Sequence, residues 1–146
     1  MQTNVNLLIQ KTSPDTTVPF YAHDNDSGLD LFSVDELIIK SGERKLVKTG
    51  IKIQLPPFTE AQIRPRSGLA LKYGITVLNT PGTIDEGYRG EICVVIINHG
   101  KDDFNIEKGA KIAQMIIAPV IRPKIIVVES LEDTQRGENG FGSTGA

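Results

Sequence analysis

Short apolar and β-branched runs, broken by turn residues, recur along the whole chain. They fall at 5–9, 29–32, 36–39, 45–48, 51–55, 61–63, 74–77, 92–97, 111–118 and 124–128. Ser41-Gly42, Pro56-Pro57 and His99-Gly100 punctuate them, as Gly and Pro pairs do between strands. Many short strands at near-regular spacing predict an all-β fold, a distorted jelly roll or barrel. Only 67–72 reads as helical, with Ser67 as the expected N-cap of a single short helix. Nothing in the chain repeats, and no linker divides it.

Composition narrows the classes. At 146 residues the chain is long enough for one core and short for two. A net charge of −2 gives no global attraction to nucleic acid or an anionic membrane, so neither is expected as a partner. The longest apolar run, Met115 to Ile121, is too short to span a bilayer as a helix, and no signal-like segment opens the chain, so it reads as cytoplasmic. The single cysteine, Cys93, excludes an internal disulfide and reads as a small buried hydrophobe within its strand. With His23 and His99 far apart, the chain lacks a zinc-ligand pattern, and both histidines read as surface residues.

Two segments depart from this strand-and-turn background. Asn79 to Glu91 reads Asn-Thr-Pro-Gly-Thr-Ile-Asp-Glu-Gly-Tyr-Arg-Gly-Glu, placing Asp85 and Tyr88 in a rigid turn between Gly82, Gly87 and Gly90. The end of the chain, Arg136 to Gly145, is polar and Gly-rich with no aliphatic residue. It cannot offset its ordering entropy by burial and is expected to be a mobile arm, 136–146, on a β domain of residues 1–135. Arg136, Phe141, Ser143 and Thr144 give that arm a cation, a stacking surface and two hydroxyls, a set suited to closing over a phosphorylated base.

Three further segments are weak signals separately. Ser27-Gly-Leu-Asp-Leu31 puts Asp30 on the face of a strand opposite two leucines. Pro65-Arg-Ser-Gly-Leu-Ala70 brings Arg66, Ser67 and Gly68 to the start of the helix, where free N–H groups favour phosphate. Gly109-Ala-Lys-Ile-Ala-Gln-Met115 sets Gln114 in an apolar strand, where a glutamine commonly serves only the fold.

Taken together and in this order, the five segments closely resemble the motifs of the trimeric dUTPase family, over about residues 22 to 145. The resemblance implies a jelly-roll-like β fold, a homotrimer with shared active sites, and Mg²⁺-dependent hydrolysis of dUTP to dUMP and pyrophosphate. It implies that Asp85 is the base that orients the attacking water and that Tyr88 packs under deoxyribose, excluding a 2′-hydroxyl. Asn79 and its backbone would read the uracil edge, with Gly82, Thr83, Ile84 and Cys93 lining the substrate. Arg66, Ser67, Gly68 and Gln114 would hold phosphates, and Asp30 the metal, mainly through water. Arg136, Phe141, Gly142 and Ser143 match the arm that folds over uracil and the γ-phosphate.

The match has departures. Asn139 replaces a usual Gly, Lys111 a frequent Arg, Ser27 a common Ala, and Cys93 a position often Lys or Met. None removes a catalytic group. A dCTP deaminase on the same fold would need a different acid–base set. A non-catalytic nucleotide-binding regulator would not require Asp85 and the arm together, and a structural jelly roll would leave the polar motifs without a use.

Overall fold

The computed structural model describes residues 5–145. In chain order the elements are β1 (Leu8–Lys11), β2 (Leu29–Phe32), β3 (Leu37–Ile39), β4 (Arg44–Gln54), β5 (Thr59–Arg64) and α1 (Ser67–Tyr73). There follow β6 (Ile75–Val77), β7 (Gly82–Ile84), β8 (Glu91–Asn98), β9 (Phe104–Ile106) and β10 (Lys111–Pro119). Two four-stranded sheets, in the orders β1-β4-β8-β6 and β2-β10-β5-β7, are joined by a two-stranded ribbon, β3-β9. All pairings are antiparallel. The sheets remain open at their edges, so the fold is a jelly-roll-like sandwich with no closed barrel.

One core serves all three sheets. Val47, Ile51, Ile92, Val94 and Ile96 enter it from the first, Leu31, Ala61, Ile63 and Met115 from the second, and Ile39 and Ile106 from the ribbon. The buried side chains alternate along β8, from Ile92 to Asn98, so its other face carries Glu91, Cys93, Val95 and Ile97. Asn98 is a fully buried polar group, yet satisfied. Its amide donates to the carbonyls of Ile39 and Asp102, each at 2.9 Å, and its oxygen accepts the Gly100 N–H at 2.8 Å.

Several elements differ from the pattern-based expectation. Segments 45–48 and 51–55 are one strand, β4, whose pairing with β8 slips between Lys48 and Lys52. Gly50 there has φ 71°, and a Cβ would stand 2.5 Å from Thr16 Oγ1 and 2.7 Å from Val34 Cγ1. Glycine thus marks a bulge inside a continuous strand, between two runs that read as separate. The expected strand at 5–9 is shifted to β1, and the short strands β7 and β9 were hidden within turn-like sequence. The β-branched run at 124–128 forms no strand, since it has no pairing partner among the described residues. Ser67 is not the N-cap of α1 but its first residue. Arg66 occupies the cap with φ −90° and ψ 128° and makes no side-chain capping bond.

Gly50→Ala combines an unfavourable φ with contacts to Thr16 and Val34 that the sheet cannot relax cheaply. The variant should lose about 2–3 kcal/mol of stability. Urea unfolding monitored by circular dichroism would measure it, and a midpoint equal to the parent's would refute the bulge as a packing constraint.

Candidate active site

The face of the β2-β10-β5-β7 sheet opposite the core carries the first polar constellation. Pairing places Gln114 of β10 opposite Asp30 of β2 on one side and Arg64 of β5 on the other. Just beyond β5 the chain turns through Pro65 and Arg66 into α1, and the Gln114 side-chain N–H donates to the Pro65 carbonyl at 3.0 Å. Gln114 therefore fastens that turn to the sheet. Gly28 leaves it room, since a Cβ there would meet Gln114 Oε1 at 2.5 Å.

These residues surround a hollow of about 430 Å³ that includes His23, Asp26, Asp30, Arg66, Ser67, Gly68, Lys111 and Gln114. Asp30, with its side chain 14% exposed, lies 3.0 Å from Lys111 Nζ and 3.5 Å from Arg66 Nε. Lys111 Nζ also stands 5.7 Å from the centroid of the Phe20 ring. One carboxylate between two cations leaves donors available to an anion, and the N–H groups that open α1 add more. The hollow suits phosphate oxygens. Its carboxylates suit a cation only as a minor share of an oxygen shell. Among the described residues no cluster of three or more His, Cys, Asp or Glu could hold a metal by itself. That donor set fits a hydrated Mg²⁺ brought in on phosphates, with Asp30 as the nearby carboxylate.

The second constellation is the turn between β7 and β8. Thr83, Ile84, Asp85, Tyr88, Glu91 and Cys93 line a smaller hollow of about 170 Å³. The Tyr88 N–H donates to the Asp85 carbonyl at 3.0 Å, closing the turn, and Arg89 Nη1 donates to the carbonyls of Glu86 and Tyr88 at 2.8 and 3.0 Å. The Tyr88 hydroxyl donates to the Glu91 carbonyl at 3.0 Å. Asp85 is exposed at the rim, accessible to water and substrate. Outside the hollow, the Arg122 guanidinium and the Phe58 N–H, at 2.8 and 3.1 Å from Glu86 Oε2, hold the Glu86 carboxyl below its usual range.

Cys93 corrects the reading of a buried hydrophobe. Alternation along β8 turns its side chain away from the core into this hollow, half-buried, with Sγ 3.6 Å from Glu91 Oε2. Desolvation, then the Glu91 charge and hydrogen bond, push the thiol pKa up. Both histidines are exposed, as expected.

The two hollows share no lining residue within one chain. Asn79 is exposed in the turn after β6 and lines neither, although its side-chain amide lies 3.4 Å from where a Gly82 Cβ would stand. Gly82 is buried in β7, opposite Ile63. Arg136 and Ser143 line a separate hollow formed by the C-terminal segment itself, where Arg136 Nε donates to the Asn139 carbonyl at 2.9 Å. Phe141 is fully exposed, and neither Phe141 nor Gly142 borders either constellation.

Lys111 was not singled out as a site residue. Strict alternation from Gln114 puts it on the opposite face, but the β2-β10 register slips between Lys111 and Ala113 and returns both side chains to the hollow. Glu91 was likewise missed, although β-alternation with Cys93 marks it as a neighbour on the same face.

Comparison with known proteins adds an independent line. A family model described as dUTPase matches residues 15–145. A protein of Crocosphaera subtropica named deoxyuridine 5′-triphosphate nucleotidohydrolase is 67% identical over 141 residues, 97% of this chain and 99% of the relative. One of the same name from Clostridium novyi is 63% identical over 141 residues, again 97% of this chain and 99% of the relative. The solved structure of a Staphylococcus bacteriophage 80alpha dUTPase with dUPNHPP superposes with a TM-score of 0.90 at 28% identity, covering 99% of this chain and 100% of that one.

Cys93 should react sluggishly with iodoacetamide at neutral pH, because only the thiolate attacks and its pKa is raised. The rate should climb only above the ordinary cysteine range. Glu91→Gln, by removing the neighbouring charge, should move that rise to lower pH. An unchanged or upward-shifted profile would remove Glu91 as a cause.

Proposed function

This chain belongs to the dUTPase family and is a dUTP diphosphatase, and we propose that it works by water attack at the α-phosphate with Asp85 as general base. The water oxygen bonds to the α-phosphorus, the bond from that phosphorus to the bridging oxygen of the β-phosphate breaks, and pyrophosphate leaves as dUMP is formed. Asp85 accepts the water's proton. The observation that carries this reading is that Asp85 and the Tyr88 ring line one small hollow, held by a turn in which the carbonyls of Asp85, Glu86, Tyr88 and Glu91 each accept a hydrogen bond. A carboxylate is a weak base, so such placement matters more than basicity.

Arg66, Ser67, Gly68 and Gln114 receive the phosphates, Gln114 partly by holding the Pro65 turn in place. Mg²⁺ would be held by the triphosphate with Asp30 close by, and when bound it neutralises phosphate charge. Tyr88 walls the sugar, and Thr83, Ile84 and Cys93 complete the lining. Asn79 and Gly82 read uracil from the adjoining turn. Residues 1–135 form the body, and the arm at 136–146 closes over the nucleotide through Arg136, Phe141, Gly142 and Ser143.

The working unit is a homotrimer with active sites shared between subunits. Two observations support this. The phosphate hollow and the Asp85 hollow are separate within one chain. The segment after β10 exposes Ile121, Ile125, Ile126, Val127 and Leu131, an apolar surface that needs a partner. A nucleotide substrate and a single cysteine favour the cytoplasm. No helix among the described residues is long and apolar enough to cross a membrane.

Asp85→Asn should retain fold and nucleotide binding while kcat falls by about 10² or more. Pyrophosphate release from dUTP, with dCTP, dTTP and UTP in parallel, measures both turnover and selectivity. Near-normal turnover in the folded variant would exclude Asp85 as the base.

Deleting 136–146 should leave melting temperature and oligomer mass unchanged, because the segment contributes nothing to the core. It should lower kcat/KM by about 10² or more through lost closure. Light scattering and steady-state kinetics decide the matter, and full activity would leave the arm without a catalytic role.

A further inference from the structure

We propose that Gly90 is a positioning residue for sugar discrimination, acting by giving the Tyr88 ring the space in which it is clamped. The proposal rests on the reading of Tyr88 as the wall of the sugar pocket.

Glycine at position 90 is not there for its backbone freedom, because Gly90 is absent from the residues with positive φ. It is there for room. A Cβ on Gly90 would stand 2.5 Å from Tyr88 Cζ and 3.0 Å from Cε2, and would collide with the hydroxyl oxygen as well. The far edge of the ring therefore lies directly over the Gly90 backbone, folded back along its own turn. Beyond Gly90 the hydroxyl donates to the Glu91 carbonyl at 3.0 Å, at the first residue of β8.

The ring is thereby fixed at both ends. At its root, the Tyr88 N–H is bonded to the Asp85 carbonyl, and Arg89 braces the carbonyls of Glu86 and Tyr88. At its tip, the hydroxyl is bonded to the sheet. A tyrosine side chain has two main torsions, and fixing root and tip sets both. This matters because Tyr88 is 44% exposed and has no packed shell to hold it from the solvent side. Without the clearance at Gly90 the ring could not lie flat enough to reach the Glu91 carbonyl. It would tilt away from the wall it forms beside Asp85.

The contacts are local, so the core does not depend on them. Gly90→Ala should fold, with its Tyr88 ring displaced. A displaced wall discriminates poorly, since rejection of an extra hydroxyl needs a fixed surface to clash with. The ratio of kcat/KM for UTP to that for dUTP should rise by about tenfold or more in Gly90→Ala. Tyr88→Phe, which keeps the ring and loses only the tip bond, should raise it less.

The decisive arm is the double variant. With Tyr88→Ala already in place, adding Gly90→Ala should change the ratio by less than about twofold, because the partner of the added methyl is gone. An equal effect in both backgrounds would mean that Gly90 acts through its own backbone, and the proposal would fail. An unchanged ratio in folded Gly90→Ala would also overturn it. Fluorine NMR of 3-fluorotyrosine-labelled protein, with the Tyr88 signal assigned by its loss in Tyr88→Phe, separates this failure from that of the underlying reading. If Tyr88→Ala leaves the ratio unchanged while Gly90→Ala still shifts the Tyr88 signal, the contact is real but Tyr88 is not the sugar wall, and the discriminating role falls. If Gly90→Ala leaves that signal in place, the contact itself is refuted.

Discussion

The two-residue period of β8 is the constraint on which the site depends. Ile92, Val94 and Ile96 must enter the core, and Asn98 ends the series tied to Ile39 and Asp102. Glu91 and Cys93 are then committed to the opposite face. Because β8 also pairs with β4 and β6, its register cannot slide without emptying the core. The turn that carries Asp85 and Tyr88 is thus attached to one of the least movable strands of the protein. The Tyr88 hydroxyl fastens to the first residue of that strand. The fixed placement of this turn is therefore a consequence of core packing and not of the turn alone.

Where alternation is strict, the sequence alone conveyed the element and its face. The strand at 29–32 is the clear example, and the outward position of Asp30 followed directly. Legibility failed where parity was broken. At Gly50 a bulge joined two runs that read as separate, and near Lys111 a register slip returned a cation to the face that alternation denied it. Cys93 was misread because an apolar run hides which of its members face inward. The run at 124–128 was misread for a different reason. β-propensity describes fitness for a sheet, and the sheet must be supplied by a partner. The polar motifs stood out in the sequence, but their division into two hollows within one chain did not, because no local pattern records how far apart the fold sets them.

The electrostatics of the phosphate hollow follow from the same geometry. The chain has a net charge of −2, so attraction for a triphosphate must be local. In this hollow the cations are Arg66 and Lys111, and Asp30 sits between them at 3.5 and 3.0 Å. A carboxylate in a phosphate site appears counterproductive until its alternatives are compared. Without an anion, the two cations would face each other across a partly buried hollow. With Asp30 they are held in place by an ion pair on each side. The Phe20 ring beside Lys111 adds a third, uncharged restraint.

The C-terminal segment leaves the body beside the turn that carries Asp85. Glu86, next to Asp85, accepts the Phe58 N–H and the Arg122 guanidinium, and the Val120 N–H donates to the Phe58 carbonyl at 2.8 Å. Phe58 has φ 61°, unusual for a bulky residue, and these bonds on both sides hold it there. The start of that segment is therefore fixed, while the stretch from Arg122 to Arg136 makes no strand and is exposed throughout. Extended, that stretch spans about 45 Å, more than the body of a domain this size requires. Reach consequently does not restrict the arm to its own chain. The Glu86–Arg122 pair is then the joint between the turn that carries Asp85 and the segment that runs on to Arg136.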